Sequence, residues 1–89
     1  MTPEDVELLQ TKIVEICHAA GRFGLPEERI KRGLIRAGYG VDDATLERNL
    51  RYLKSKEWIE EVPKELRPDI RRWQSTAKGD EHLMLEGLI

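Results

Sequence analysis

Apolar residues recur at helical spacing from the start of the chain. Val6, Leu9, Ile13, Ile16, Cys17 and Ala20 share one face, which predicts a first helix. Thr2 is a capping residue, Pro3 suits the first helical position, and Glu4 and Asp5 sit at the positive end of the helix dipole. Gly21 ends this helix, and Leu8 falls off its apolar face. The segment Arg22-Phe23-Gly24-Leu25 reads as a short connector, with Phe23 or Leu25 folding back onto the core. Pro26-Glu27-Glu28 starts a second helix, with Ile30, Leu34 and Ala37 inward and Gly33 allowing a close helix approach. Gly38-Tyr39-Gly40 ends it.

Asp42 then caps a third helix. Val41 just before the cap and Leu46 at the fourth helical position form a hydrophobic staple. Leu46, Leu50 and Leu53 make its buried stripe, and it ends near Lys56 or Glu57. From Trp58 the period changes to two, so Trp58–Val62 reads as a short strand. Pro63 and Pro68 bracket a charged turn, and Ile70–Ser75 is a return strand. Thr76 caps a last helix, with Leu83, Met84, Gly87 and Leu88 at helical spacing. A two-stranded hairpin is marginal alone, so it must lie against the helices.

The predicted fold is therefore mainly α with a small antiparallel hairpin, in the order α-α-α-β-β-α. At 89 residues the chain is expected to form a single domain over 1–89. Hydrophobic residues make up 39% and charged residues 36%, with mixed signs, which argues for a folded chain rather than a disordered one. No apolar run approaches the length needed to span a bilayer, and the acidic N-terminus lacks a signal-peptide pattern. The lone Cys17 excludes an internal disulfide. A cytoplasmic location without membrane attachment is the resulting expectation.

The stretch "LERNLRYLKSKEWIEEV" resembles the recognition helix and first wing strand of winged-helix domains, a subclass of the helix-turn-helix DNA-binding superfamily. Leu50 and Leu53 stand as the family's leucine pair, and Lys56-Glu57-Trp58-Ile59 replaces the usual Lys-Gly-Leu-Ile. "STAKGDEHLML" resembles the strand-to-helix junction after the wing in many bacterial winged-helix regulators. The segment "GRFGLPEERIKRGLIRAGYGVDDATLERNLRYL" is similar to small winged-helix proteins of Mu-like prophages. The resemblance implies a helix-turn-helix over 26–57, a wing over 58–75 and a C-terminal helix over 76–89. It also implies double-stranded DNA as partner, in a small transcriptional regulator or a phage-encoded DNA-binding protein.

The residues themselves offer matching chemistry. With its leucines inward, the third helix turns Thr45, Arg48, Arg51, Tyr52 and Ser55 outward, with Asn49 and Lys56 at the flank. Arg and Asn pair with base edges in the major groove, and Thr and Tyr bond to phosphate or touch a thymine methyl. Arg48, Asn49 and Tyr52 are the expected groove readers, Thr45 and Arg51 the backbone contacts, and Lys56 a flanking cation. Lys64, Arg67, Arg71 and Arg72 surround the wing turn, partly offset by Glu65 and Asp69, and Arg67, Arg71 and Arg72 are expected at the phosphates or minor groove. Arg22, Arg29, Lys31, Arg32 and Arg36 add a basic centre, while residues 1–20 carry four acids against Lys12. The plain alternative is a solvated face whose charges pair with one another. The formal net charge of −2 also counts against a general polyanion binder.

A protein-interaction module of the same fold, such as a phage assembly or adaptor protein, is the rival reading. Leu8, Leu85 and Leu88 exceed what one small core needs, and winged-helix regulators often pair first and last helices, so a homodimer through these residues is a further expectation. Catalysis has no support. His18 and His82 lack a metal-spaced cluster, Glu81-His82 is not HExxH, Cys17 lies on an apolar face, and Lys78-Gly79 lacks the P-loop's earlier glycine. No metal or cofactor is expected. Trp58 and Trp73 are expected to pack in the core or the wing rather than stack on bases.

Overall fold

The computed structural model describes residues 2–62 and 71–89. The helix α1 spans Pro3–Ala20 and opens with a full capping box: Thr2 Oγ1 accepts from the Asp5 amide, and the Asp5 carboxylate accepts from the Thr2 amide. These bonds hold the Asp5 carboxyl below its ordinary pKa. Because α1 packs on the second helix, the last helix and the sheet, its buried set is wider than one stripe. Val14 joins Leu9, Ile13 and Cys17 in the core, whereas Val6 and Ile16 are only half-buried. Burial pushes the Cys17 thiol up to about 12, which leaves it unreactive at neutral pH.

After a single 3-10 turn at Gly21–Phe23 comes a short strand, where the sequence pattern predicts the end of a connector at Leu25 and the start of a helix at Pro26. This β1, Leu25–Pro26, pairs antiparallel with the final strand. Gly24 makes the pairing feasible: its φ is +70°, and a Cβ there would run into the Val62 side chain and lie 2.9 Å from the Trp73 carbonyl oxygen. Leu25 packs against the core while Phe23 stays exposed.

The helix α2, Glu27–Arg36, buries Ile30 and Leu34. Gly33 meets Ile16, whose Cδ1 lies 3.1 Å from where a Cβ would sit, so the predicted close approach is to α1. A Schellman motif ends α2, with Gly38 (φ +95°) donating to Ile35 O and Tyr39 to Leu34 O. The helix α3, Asp43–Ser55, begins at the Asp42 cap, whose carboxylate accepts from the Thr45 amide at 2.7 Å and is held below its ordinary pKa by that bond. Val41 and Leu46 are both buried, as the staple requires.

The end of α3 has the same Schellman bonds, from Glu57 N to Lys54 O and from Trp58 N to Leu53 O, but places Glu57 at φ +64°. A left-handed conformation costs an L-residue about 1–2 kcal/mol, and glycine gives back about half of that as unfolded-state entropy. Glu57→Gly is therefore expected to stabilise the chain by about 0.5–1 kcal/mol and to raise the thermal midpoint by about 3–6 °C. Calorimetry checks this, and an unchanged or lower midpoint would show that the Glu57 side chain supplies a contact that outweighs the strain.

The strands β2, Ile59–Glu61, and β3, Arg72–Ser75, pair antiparallel with Ile59 opposite Ser75 and Glu61 opposite Trp73. The sheet order is β1-β3-β2. The fold is thus mainly helical with a three-stranded antiparallel sheet, one strand more than expected. Trp73 sits at the centre of the middle strand and is buried with Ile59 and the helix leucines in one core. The start of the expected return strand at Ile70 lies outside the described residues, as do Lys64 and Arg67.

The last helix α4 covers Ala77–Leu85, shorter than the 76–89 expected. Thr76 caps it, accepting from the Gly79 amide while donating to the Glu57 carbonyl, which fastens α4 to the α3–β2 corner. Gly87 at φ +74° ends it with a third Schellman motif, so Leu88 and Ile89 leave the helix. Only Leu83 of the expected apolar set is buried; Met84, Leu85, Leu88 and Ile89 are exposed.

Candidate nucleic-acid interface

The leucines Leu46, Leu50 and Leu53 are inward, and Arg48, Arg51, Tyr52, Lys54 and Ser55 are exposed along the opposite side of α3. Arg48 meets no carboxylate within 4 Å among the described residues. Arg51 bridges to Glu47 one turn earlier, at 3.3 Å, in a solvent-exposed pair that contributes little. Tyr52 lies between two clefts on the α1 side, one of which it forms with Val6, Gln10, Thr45, Arg48 and Asn49.

Asn49 is not at the flank as expected. It is 9% exposed, accepts from Gln10 Nε2 at 3.0 Å and donates to its own Thr45 carbonyl at 2.8 Å. The amide is thus spent on joining α1 to α3, because a polar group at this depth must be satisfied internally. Thr45 is half-buried beside it, at the N-terminal end of the same cleft.

Arg71 is also placed differently from the expected wing contact. Its guanidinium reaches back to the junction of α2, α3 and β2, donating to Glu27 and, at 2.7 Å, to Glu47, with Glu61 at 3.7 Å. The hydrogen bond to Glu27 is the main reason its pKa stands above the ordinary arginine value. Its guanidinium carbon lies 5.0 Å from the centre of the Trp73 ring, and Trp73 Nε1 points to the same Glu27 at 3.4 Å. One arginine therefore gathers three carboxylates that would otherwise repel one another. Glu27, Glu47 and Glu61 were not singled out from sequence. They are far apart in the chain, and only the fold brings them together. Arg72 is half-buried, and its Nε has no acceptor among the described residues.

Lys56 is drawn away from the helix face by aromatic rings. Its ammonium lies 3.9 Å from the centre of the Trp58 ring and 5.3 Å from that of Tyr52. Trp58 stacks on His82 at 4.0 Å between centroids, and His82 Nε2 is 3.2 Å from Thr11 Oγ1. His18 and Asp80 make a second link between α1 and α4 at 2.8 Å. Both histidines thus have fastening roles, and their ring chemistry gave no sign of it in the sequence.

No family model matches this chain, and neither does any curated protein or solved structure. The geometry alone therefore bears on function. Among the described residues no group of three or more His, Cys, Asp and Glu side chains is placed to hold a metal ion, and no helix is long and apolar enough to cross a membrane. Of the expected DNA contacts, Arg48, Arg51 and Tyr52 stand together on an exposed helix face. Thr45 borders it half-buried, Arg72 is half-buried on β3 opposite Pro26, Asn49, Lys56 and Arg71 are engaged within the fold, and Arg67 lies outside the described residues.

A second surface lies next to that face. Between α2 and α3, the side chains of Glu27, Glu28, Asp43 and Glu47 line one shallow depression with Lys31, which bridges to Asp43 at 2.8 Å. Each of these carboxylates has a cationic partner, Arg71 for Glu27 and Glu47, Arg32 for Glu28 and Lys31 for Asp43, so this flank of α3 is a network of paired charges.

Proposed function

We propose that the chain is a winged-helix domain that binds double-stranded DNA through the exposed side of α3, as a small regulator or phage-encoded DNA-binding protein. The observation that carries this reading is the Arg48–Arg51–Tyr52 face. The three side chains lie within two turns on a helix whose opposite side is packed, with β2 beside it. Such a helix fits the major groove, and its two guanidinium groups suit guanine edges and phosphates. Arg48 is the base reader, Arg51 and Arg72 the backbone cations. Tyr52 adds a hydroxyl for phosphate.

Titration of a fluorescent random duplex at two salt concentrations tests the reading. Two phosphate-neutralising cations give a log–log slope of about −1.8, so a fourfold rise in salt weakens binding by about 12-fold. Arg48→Ala is expected to weaken binding and relax sequence preference, while Arg72→Ala weakens it for all sequences alike. Glu47→Gln removes the negative charge that Arg51 and Arg71 share, so it is expected to tighten binding several-fold. Equal losses at every sequence for both arginine variants would sink the groove-reading role of Arg48.

The exposed Leu8, Leu85 and Leu88 favour a second reading, a protein-interaction module that does not bind DNA. Absence of duplex binding at low salt would decide for it.

A further inference from the structure

On the far side of α1 the first helix and the end of α4 form a groove of about 300 Å3, lined by Glu4, Glu7, Leu8, Thr11, Glu86 and Leu88. Its floor is apolar and open: Leu8 is 56% exposed and Leu88 45%. Its rim is acidic, and no Lys, Arg or His nitrogen lies within 4 Å of the Glu4, Glu7 or Glu86 carboxylates among the described residues. Glu7, Thr11 and Glu86 also line the neighbouring cleft walled by the Trp58–His82 stack, so the two hollows run into one another. The lining residues of α1 occur at positions 4, 7, 8 and 11, a stripe two turns long that matches two turns of a second helix laid alongside.

We infer that this groove docks a basic amphipathic helical segment of another protein, with its leucines on Leu8 and Leu88 and its lysines or arginines against Glu4, Glu7 and Glu86. Charge selects this occupant over a second copy of the chain. A two-fold dimer places the same patch on both sides, so three uncompensated carboxylates would face three more, and like charges across an interface are strongly disfavoured. Leu85, the most exposed large apolar side chain among the described residues at 81%, lies outside the groove and does not alter that balance. The groove's lining includes neither Arg48 nor Arg51, although the adjoining cleft reaches Tyr52 and Lys56, and the inference does not depend on whether the chain binds DNA.

The test uses the full chain and a fluorescein-labelled amphipathic peptide of about four turns, with leucines three and four positions apart and lysines on the flanks. A counterpart with glutamate in place of each lysine is the control. The basic peptide is expected to bind in the micromolar range at low salt and the acidic one not at all. Glu7→Lys with Glu86→Lys is expected to weaken binding at least 10-fold, and Leu8→Ser several-fold. All three positions are exposed, so the variants keep the fold, which circular dichroism verifies. Amide shifts in the wild-type chain should cluster at residues 4–11 and 86–88. Equal binding of the two peptides, unchanged affinity in the charge-reversed variant, or shifts confined to α3 would overturn the inference. So would wild-type self-association in sedimentation that the charge reversal strengthens or abolishes, since the groove's occupant would then be the chain itself.

Discussion

Replacing Trp73 with alanine is expected to remove about 3–5 kcal/mol of folding free energy, out of the roughly 5–13 kcal/mol typical of a chain this long. Trp73 is 1% exposed and is the largest fully buried side chain. It stands on the middle strand, opposite Leu25 on one side and Glu61 on the other, with α1 and α4 packed on the same strand. Removing the indole takes away the body that all these elements share, and the cavity cannot collapse without moving the sheet. Urea unfolding followed by circular dichroism should show a midpoint lower by about 2 M, at a slope of about 2 kcal/mol/M. Trp73→Phe separates packing from polarity. It keeps most of the volume and loses only the long contact from Nε1 to Glu27, so it should cost less than half as much. A loss under about 1 kcal/mol for the alanine variant would contradict the placement of this ring at the centre of the core.

The helices were legible because each announces itself by more than one signal. The Asp42 cap, the Val41–Leu46 staple and the leucine stripe agree over α3, and the observed helix matches them to within a residue. The strand β1 was not legible. Leu25-Pro26 is two residues long, too short for any period, and its identity as a strand depends on the Trp73 and Arg72 backbone 46 to 48 residues away, partners that only tertiary pairing supplies. The end of α4 was misread for a different reason: Leu88 and Ile89 continue the apolar pattern, but Gly87 already has the left-handed conformation that turns them off the helix axis.

The candidate site was legible in outline and not in detail. Periodicity sorts inward leucines from outward cations, and that sorting holds for Arg48, Arg51 and Tyr52. It says nothing about which outward cations are already taken. Arg71 is taken because Glu27, Glu47 and Glu61 arrive from three elements, and Lys56 because the aromatic rings of Tyr52 and Trp58 flank it. Asn49 sits only one residue from Leu50, so a modest rotation of the helix toward α1 carries it from the flank into the interior, where Gln10 receives it. The charge segregation seen along the chain has a structural counterpart. Glu4 and Glu7 of the first helix and Glu86 after the last lie together around one groove, whose lining includes neither Arg48 nor Arg51.

Gly79→Ala is the second large effect, and its sign discriminates between local and tertiary control. Gly79 lies in the first turn of α4, where helix propensity alone predicts that alanine stabilises by about 0.5–1 kcal/mol. The tertiary structure predicts the opposite. A Cβ on Gly79 would overlap the Trp58 carbonyl oxygen and lie 3.0 Å from its carbon and 3.2 Å from its Cα. The obstacle is backbone, which cannot swing aside as a side chain would. That backbone is also held in place, because the Trp58 carbonyl accepts from the Thr76 amide and its own amide donates to Leu53. Relief therefore requires α4 to lift from the α3–β2 corner, which breaks the Thr76 hydrogen bond to Glu57 and loosens the Trp58–His82 stack. Overpacking of this kind costs about 1–3 kcal/mol, so the net expectation is a loss of that order with a lower thermal midpoint, accompanied by a change in tryptophan fluorescence as Trp58 leaves His82. A raised midpoint with unchanged fluorescence would mean that the close approach of α4 to Trp58 does not exist in solution. The same lift would displace Glu86 and Leu88 relative to α1, so Gly79→Ala is also expected to weaken peptide docking in the acidic groove while sparing the Arg48 face. The glycine in the Thr76-Ala-Lys-Gly79 junction thus has a physical reason, the need for a helix to begin against another segment's backbone.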